Sequence, residues 1–134
     1  MIKVTPDHES NLHSDQKRTL VVGASLRRER FSNIAVRRLS EYHIPVIAVG
    51  LRAGEINGIA VHKPFPVVEN IHTVTLYVGP KNQPFWYDFI LHAKPLRVIF
   101  NPGTPNEEFE QMLINTGIEV VEECTLIMLS SGDF

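Results

Sequence analysis

From Thr19 onward, short apolar runs alternate with segments in which apolar residues recur at three- and four-residue spacing. Unbroken apolar runs suit strands covered on both faces, and the longer spacing suits amphipathic helices, so the alternation predicts βαβ units around a parallel sheet. A first strand is expected at Thr19–Val22, closed by Gly23. A loop with Arg27, Arg28 and Arg30 then leads into a helix marked by Phe31, Ile34, Ala35, Leu39 and Tyr42, with Ser32 as its cap. Residues 44–49 read as a second buried strand. Residues 52–66 are rich in glycine and proline, with a short strand at 59–61, and residues 73–78 form a strongly apolar strand closed by Gly79 and Pro80.

A second helix is expected after Asn82 as cap, with Phe85, Phe89, Ile90 and Ala93 on one face and Pro95 as its stop. Residues 96–100 give the next strand. The following helix has the fullest boundary signals: Thr104 as N-cap, Pro105 at the first turn, Glu107 three residues after the cap and Gly117 past the end. Phe109, Met112 and Leu113 form its apolar face, residues 118–121 a last strand, and residues 124–129 a short closing segment. The expected fold is therefore α/β, a Rossmann-like doubly wound parallel sheet of about five to six strands in three layers. Residues 1–17 are polar and read as a tail that packs on something, such as a second subunit; residues 18–134 form the domain.

Composition narrows the class of protein. The chain has 134 residues, 43% hydrophobic and 21% charged, which fits one globular domain and neither disorder nor a membrane protein. No apolar run approaches the roughly 20 residues that span a bilayer. A formal net charge of −2 gives no general attraction to nucleic acid. With Cys124 as its single cysteine and no basic-then-apolar leader, the chain is expected in the cytoplasm.

In a doubly wound sheet ligands bind outside the carboxyl ends of the strands, where strand order reverses. Gly23-Ala24-Ser25 follows the first strand directly, where a tight turn and the N–H groups of a helix start can cradle a phosphate. Ser25 stands where a dinucleotide fingerprint has its second glycine, so the triplet reads either as a phosphate site or as a plain turn. Arg27, Arg28 and Arg30 either donate paired N–H groups to phosphate oxygens or form a solvated basic loop. No carboxylate follows Val49, where an NAD site places one on the ribose; the chain runs Gly50-Leu51-Arg52. Arg52 suits an adenosine ribose carrying an extra phosphate, as in NADP or coenzyme A, or is simply a surface arginine. Asn101, before Pro102-Gly103-Thr104, faces the same crevice or bridges its own turn, and Gly103 serves the turn.

Nothing in the sequence assembles catalytic machinery. The six histidines show no metal-ligand spacing, Cys124 reads as a buried core thiol, Glu107 and Glu108 as helix-start residues, and Glu122 and Glu123 as a solvated pair.

The order Gly23-Ala24-Ser25, Ser32-Asn33, Glu55-Ile56 with Gly58, Pro102-Gly103 with Asn106-Glu107-Glu108, and Gly117-Ile118-Glu119-Val120-Val121 with Cys124 resembles the small stand-alone CoA-binding domain proteins. These are similar to the CoA-binding domain of the succinyl-CoA synthetase alpha subunit. The resemblance implies that Gly23, Ala24, Ser25 and a nearby arginine take phosphates, Asn33 supports the loop, Val49 and Gly50 border the adenosine, and Val78 and Gly103 flank the crevice. The chain departs from the family pattern at Gly50-Leu51, at Ile99-Phe100-Asn101 and at Glu123. The resemblance also implies no catalysis, since the ligases use a phosphorylated histidine and further domains.

The sequence thus predicts a non-catalytic module for coenzyme A or an acyl-CoA, with no metal. Its expected partners are a small nucleotide ligand and a second copy or another protein, not nucleic acid or membrane. The alternatives are an NADP-linked oxidoreductase and a degenerate Rossmann domain serving as a protein-interaction platform.

Overall fold

The computed structural model describes residues 16–134, so nearly all of the predicted tail lies outside the described residues. Seven strands form one sheet in the order β3-β4-β2-β1-β5-β6-β7. They are β1 (Thr19–Val22), β2 (Val46–Val49), β3 (Gly54–Ile56), β4 (Ile59–His62), β5 (Thr73–Leu76), β6 (Arg97–Phe100) and β7 (Glu119–Val121). All neighbours pair in parallel except β3 and β4. The strand count exceeds the expected five to six because residues 52–66 hold a hairpin rather than a loop with one strand.

Asn57 and Gly58 make that hairpin turn, at φ 47° and 84°. Two consecutive positive φ angles match the right-handed twist of the flanking strands, and asparagine followed by glycine tolerates them best.

The central strand shows why the core has two halves. All four residues of β1 are buried, and successive side chains point to opposite faces. Leu20 and Val22 join Val74, Leu76, Val98, Phe100, Trp86, Ile90, Phe109 and Leu113 on one side. Val21 joins Val36, Leu39, Ala48, Ile99, Met128 and Leu129 on the other. Helices α1 (Phe31–Glu41) and α4 (Thr125–Ser131) therefore cover one face, and α2 (Tyr87–Ala93) and α3 (Glu107–Asn115) the other. This is the three-layer α/β architecture that the pattern predicts.

Several boundaries differ from expectation. Asn82 does not cap a helix: it lies inside a 3₁₀ segment, Pro80–Trp86, and α-helix begins only at Tyr87. Pro84 sits within that segment and has no N–H to donate. Lys94, in the left-handed conformation before Pro95, ends α2. Thr104 does not cap α3. It is buried and donates its hydroxyl to the Asn101 carbonyl at 2.8 Å, while Asn106 caps the helix by accepting from the Phe109 N–H at 3.4 Å. Ser32 is not the cap of α1 either, since Arg30 holds that position. Cys124 is half-buried rather than a core thiol, because it is the N-cap residue of α4 and follows the exposed Glu122 and Glu123.

Candidate nucleotide-binding cleft

After β1 the chain builds β2, β3 and β4 on one side, then returns to place β5 on the other side of β1. The reversal falls between β1 and β5, so the loops leaving their carboxyl ends diverge and leave a crevice. A cleft of about 1060 Å³ opens there. Its walls are the loop after β1 (Gly23 to Arg27, and Arg30), Leu51 and Arg52 after β2, and the segment after β5 from Tyr77 to Trp86.

The β1 loop is held from beneath by backbone. The Gly23 and Ala24 N–H groups both donate to the Val49 carbonyl, at 2.9 and 3.0 Å, and the Ser25 N–H donates to Ser32 Oγ at 3.1 Å. The sequence reading left these N–H groups free to cradle a phosphate; in the structure they are committed to shaping the turn. Gly23, at φ +91°, sits where an added Cβ would lie 2.8 Å from the Tyr77 carbonyl oxygen. At Gly50 a Cβ would lie 2.1 Å from the Ala24 carbonyl oxygen, so only glycine lets the end of β2 pass under the loop.

Asn33, buried on α1, donates to the Ser25 carbonyl at 2.9 Å and accepts from Arg37 Nε at 2.9 Å. Arg37 in turn reaches the Arg28 carbonyl at 2.9 Å. Arg28 itself turns away to Asn57 Oδ1 at 3.1 Å and ties the loop to the hairpin. Of the predicted site residues, Gly23, Ala24, Ser25, Arg27, Arg30, Arg52 and Val78 line the cleft. Asn33, Val49 and Gly50 lie beneath it as supports.

Besides Arg28, two predicted residues lie elsewhere. Asn101 is buried in the core, donating to Thr75 Oγ1 at 2.8 Å and the Leu76 carbonyl at 3.0 Å and accepting from the Thr125 N–H at 2.8 Å. It holds the start of α4 against β5 and β6. Gly103, at φ +89°, makes the turn before Thr104 and is exposed outside the cleft.

The cleft also uses residues that the sequence reading did not assign: Leu26, Leu51, Tyr77, Lys81, Pro84, Phe85 and Trp86. The signal was present in Gly79-Pro80, which closes β5 at the switch point and so puts residues 80–86 on the crevice wall. Gln83, fully buried, locks this wall by donating to the Val78 carbonyl at 2.8 Å and the Thr104 carbonyl at 2.7 Å and accepting from Asn106 Nδ2 at 2.9 Å.

The electrostatics are one-sided. Arg27, Arg30, Arg52 and Lys81 line the cleft, and among the described residues no carboxylate does. Arg27 pairs with Glu29 at 3.0 Å, both exposed, and the Arg30 charge also acts on that carboxylate; among the described residues Arg52 and Lys81 form no salt bridge. Tyr77 contributes a half-buried ring whose buried hydroxyl lies near the Thr75 and Thr125 side chains without a well-formed hydrogen bond to either, and burial, outweighing those two neighbours, pushes its pKa up to about 12. Among the described residues no group of three or more His, Cys, Asp or Glu side chains converges as a metal site would require. No described helix is long and apolar enough to cross a membrane.

A doubly wound sheet with a cationic crevice at its switch point defines a nucleotide-binding class of domain. Comparison with known families makes this specific: residues 17–130 match the family of CoA-binding domains, and the chain belongs to it. A crystal structure of an uncharacterized protein is 46% identical, superposes with a TM-score of 0.87, and aligns over 90% of this chain and all of its own. A hypothetical protein from Pyrococcus horikoshii (22% identity, TM-score 0.79, 98% of each chain) shares the fold. So does a protein from Thermus thermophilus (20% identity, TM-score 0.77, 98% of this chain and all of that one). No curated protein matches.

Proposed function

We propose that this protein binds coenzyme A or an acyl-CoA in the cleft between β1 and β5 and has no catalytic step of its own. The observation that carries the reading is a cleft lined, among the described residues, by four cations and no carboxylate in a member of the CoA-binding family. Coenzyme A presents a diphosphate and a ribose phosphate, and guanidinium groups suit both by donating two N–H groups to one phosphate. In a doubly wound site the diphosphate lies at the first strand's loop and the ribose beyond the second strand. Arg30 and Arg27 then attend the diphosphate and Arg52 the ribose phosphate, while Asn33 and Gly50 keep the loop in shape.

NADP carries its extra phosphate on a different ribose hydroxyl and is the competing ligand. Titration calorimetry with coenzyme A, dephospho-CoA and NADP separates the readings. Coenzyme A is expected to bind tightest, and Arg52→Ala to weaken coenzyme A by about 1.5–3 kcal/mol while leaving dephospho-CoA little changed. Tighter binding of NADP, or equal loss for both CoA forms, contradicts this assignment.

A further inference from the structure

If the diphosphate lies against the β1 loop and the adenosine beyond β2, the remaining arm of coenzyme A runs across the end of β5. The wall it meets there is mainly apolar, with Lys81 and Asn82 as its polar members. Val78, Pro84, Phe85 and Trp86 line it, with Leu26 and Leu51 opposite.

Phe85 is 57% exposed at this wall and Phe65 beside it is half-exposed, so the two rings present a contiguous aromatic patch. Phe85 is held in place by its neighbours. Trp86 meets it edge-on with ring centroids 5.3 Å apart, and Phe65, itself half-exposed, leans against it at 5.1 Å. Phe65 also contacts Trp86 at 5.5 Å and Phe89 at 5.3 Å, so four rings form one cluster, of which Phe85 and Trp86 reach the cleft. Trp86 is almost fully buried and packs into the core beneath, which anchors the rest. Offset and edge-to-face contacts of this kind fix ring positions and leave little entropy to lose when a ligand settles on them.

We propose that this aromatic wall is a specificity element for an apolar acyl group, so that the preferred ligand is an acyl-CoA with an uncharged aliphatic or aromatic acyl chain rather than free coenzyme A or a dicarboxylic thioester. The inference rests on the coenzyme A reading above. Lys81 lines the same segment as a cation, and a carboxylated acyl group is the outcome it would favour.

The test is titration calorimetry of the intact protein with coenzyme A, acetyl-CoA, hexanoyl-CoA, benzoyl-CoA and succinyl-CoA. Each methylene fully removed from water favours binding about fourfold, so covering half of the added chain makes hexanoyl-CoA on the order of tenfold tighter than acetyl-CoA. Benzoyl-CoA should follow hexanoyl-CoA, and succinyl-CoA should gain nothing over coenzyme A. Phe85→Ser, a change at an exposed position, should collapse the ratio of hexanoyl-CoA to coenzyme A affinity; an unchanged melting curve checks that the fold is kept. Equal affinities across the series, succinyl-CoA as the tightest ligand, or an undiminished ratio in Phe85→Ser would overturn the inference while leaving coenzyme A binding intact. Failure of every CoA species to bind overturns the coenzyme A reading itself and this inference with it.

Discussion

At Gly50 the absent side chain decides the geometry. The residue is buried, its N–H donates to the His62 carbonyl at 2.9 Å, and the β1 loop lies directly over its Cα. A methyl group there would overlap backbone, which cannot move aside as a side chain can. Gly50→Ala is expected to destabilise the domain by about 1–3 kcal/mol and to loosen the loop that forms one cleft wall. Urea denaturation reads the first effect, and faster amide exchange at residues 23–26 the second. The sequence showed Gly50 as a departure from the family pattern; only the approach of Ala24, distant along the chain, explains it.

Tyr77 makes the opposite case, a polar atom where none is needed. Because burial raises its pKa from 10.0 to about 12, the folded state holds the phenolic proton more tightly than the unfolded chain does. That contribution is fully present below pH 10 and is lost as pH climbs through about 12. Tyr77→Phe removes a buried hydroxyl that lies near Thr75 and Thr125 without a well-formed hydrogen bond, so at neutral pH the variant should match the wild type to within about 1 kcal/mol. Between pH 10 and 12 its stability should fall less steeply, measured by denaturant midpoints at each pH. A variant markedly weaker at neutral pH would show that the hydroxyl has a partner.

At the scale of elements, the 3₁₀ segment Pro80–Trp86 is held to the rest of the cleft through one buried side chain, Gln83. Gln83 alone satisfies two carbonyls from different loops. Gln83→Leu keeps much of the volume but strands both acceptors, each worth about 1–3 kcal/mol when buried and unpaired. The expected result is a lower denaturation midpoint together with weaker ligand binding, since the wall bearing Phe85 and Trp86 loses its clamp. Weakened stability with unchanged binding would mean that the wall is held by its aromatic contacts instead.

Elements with a strong local signal were legible from sequence: the apolar strands β1, β5 and β6, and the helix ending at Gly117. The caps were not. Thr104, Pro105 and Glu107 offered a consistent helix start, yet Thr104 is drawn into the core by the Asn101 carbonyl and the helix begins two residues later, at Asn106. The hairpin at Asn57-Gly58 was legible in principle, because that pair between Ile56 and Ile59 is a strong turn signal. It was obscured by the surrounding glycine and proline. Within the cleft, the glycines and arginines of the β1 loop were readable as local chemistry. The roles of Asn101, Gln83 and Phe85 were not, since each depends on residues from other loops.

For the whole molecule, the strand order opens a crevice at the carboxyl ends of β1 and β5, and that crevice is where we propose that coenzyme A binds. The cations of the cleft come from three separate loops, Arg27 and Arg30 after β1, Arg52 after β2 and Lys81 after β5, and only the folded domain brings them together. A ligand that bridges them must therefore stabilise the native state. Thermal unfolding with and without coenzyme A tests this most directly. At a concentration 100 times Kd, binding to the folded state alone adds about 2.7 kcal/mol, a rise of several degrees in Tm for a domain of this size, and dephospho-CoA should add less. An unmoved melting curve at millimolar coenzyme A would contradict the account.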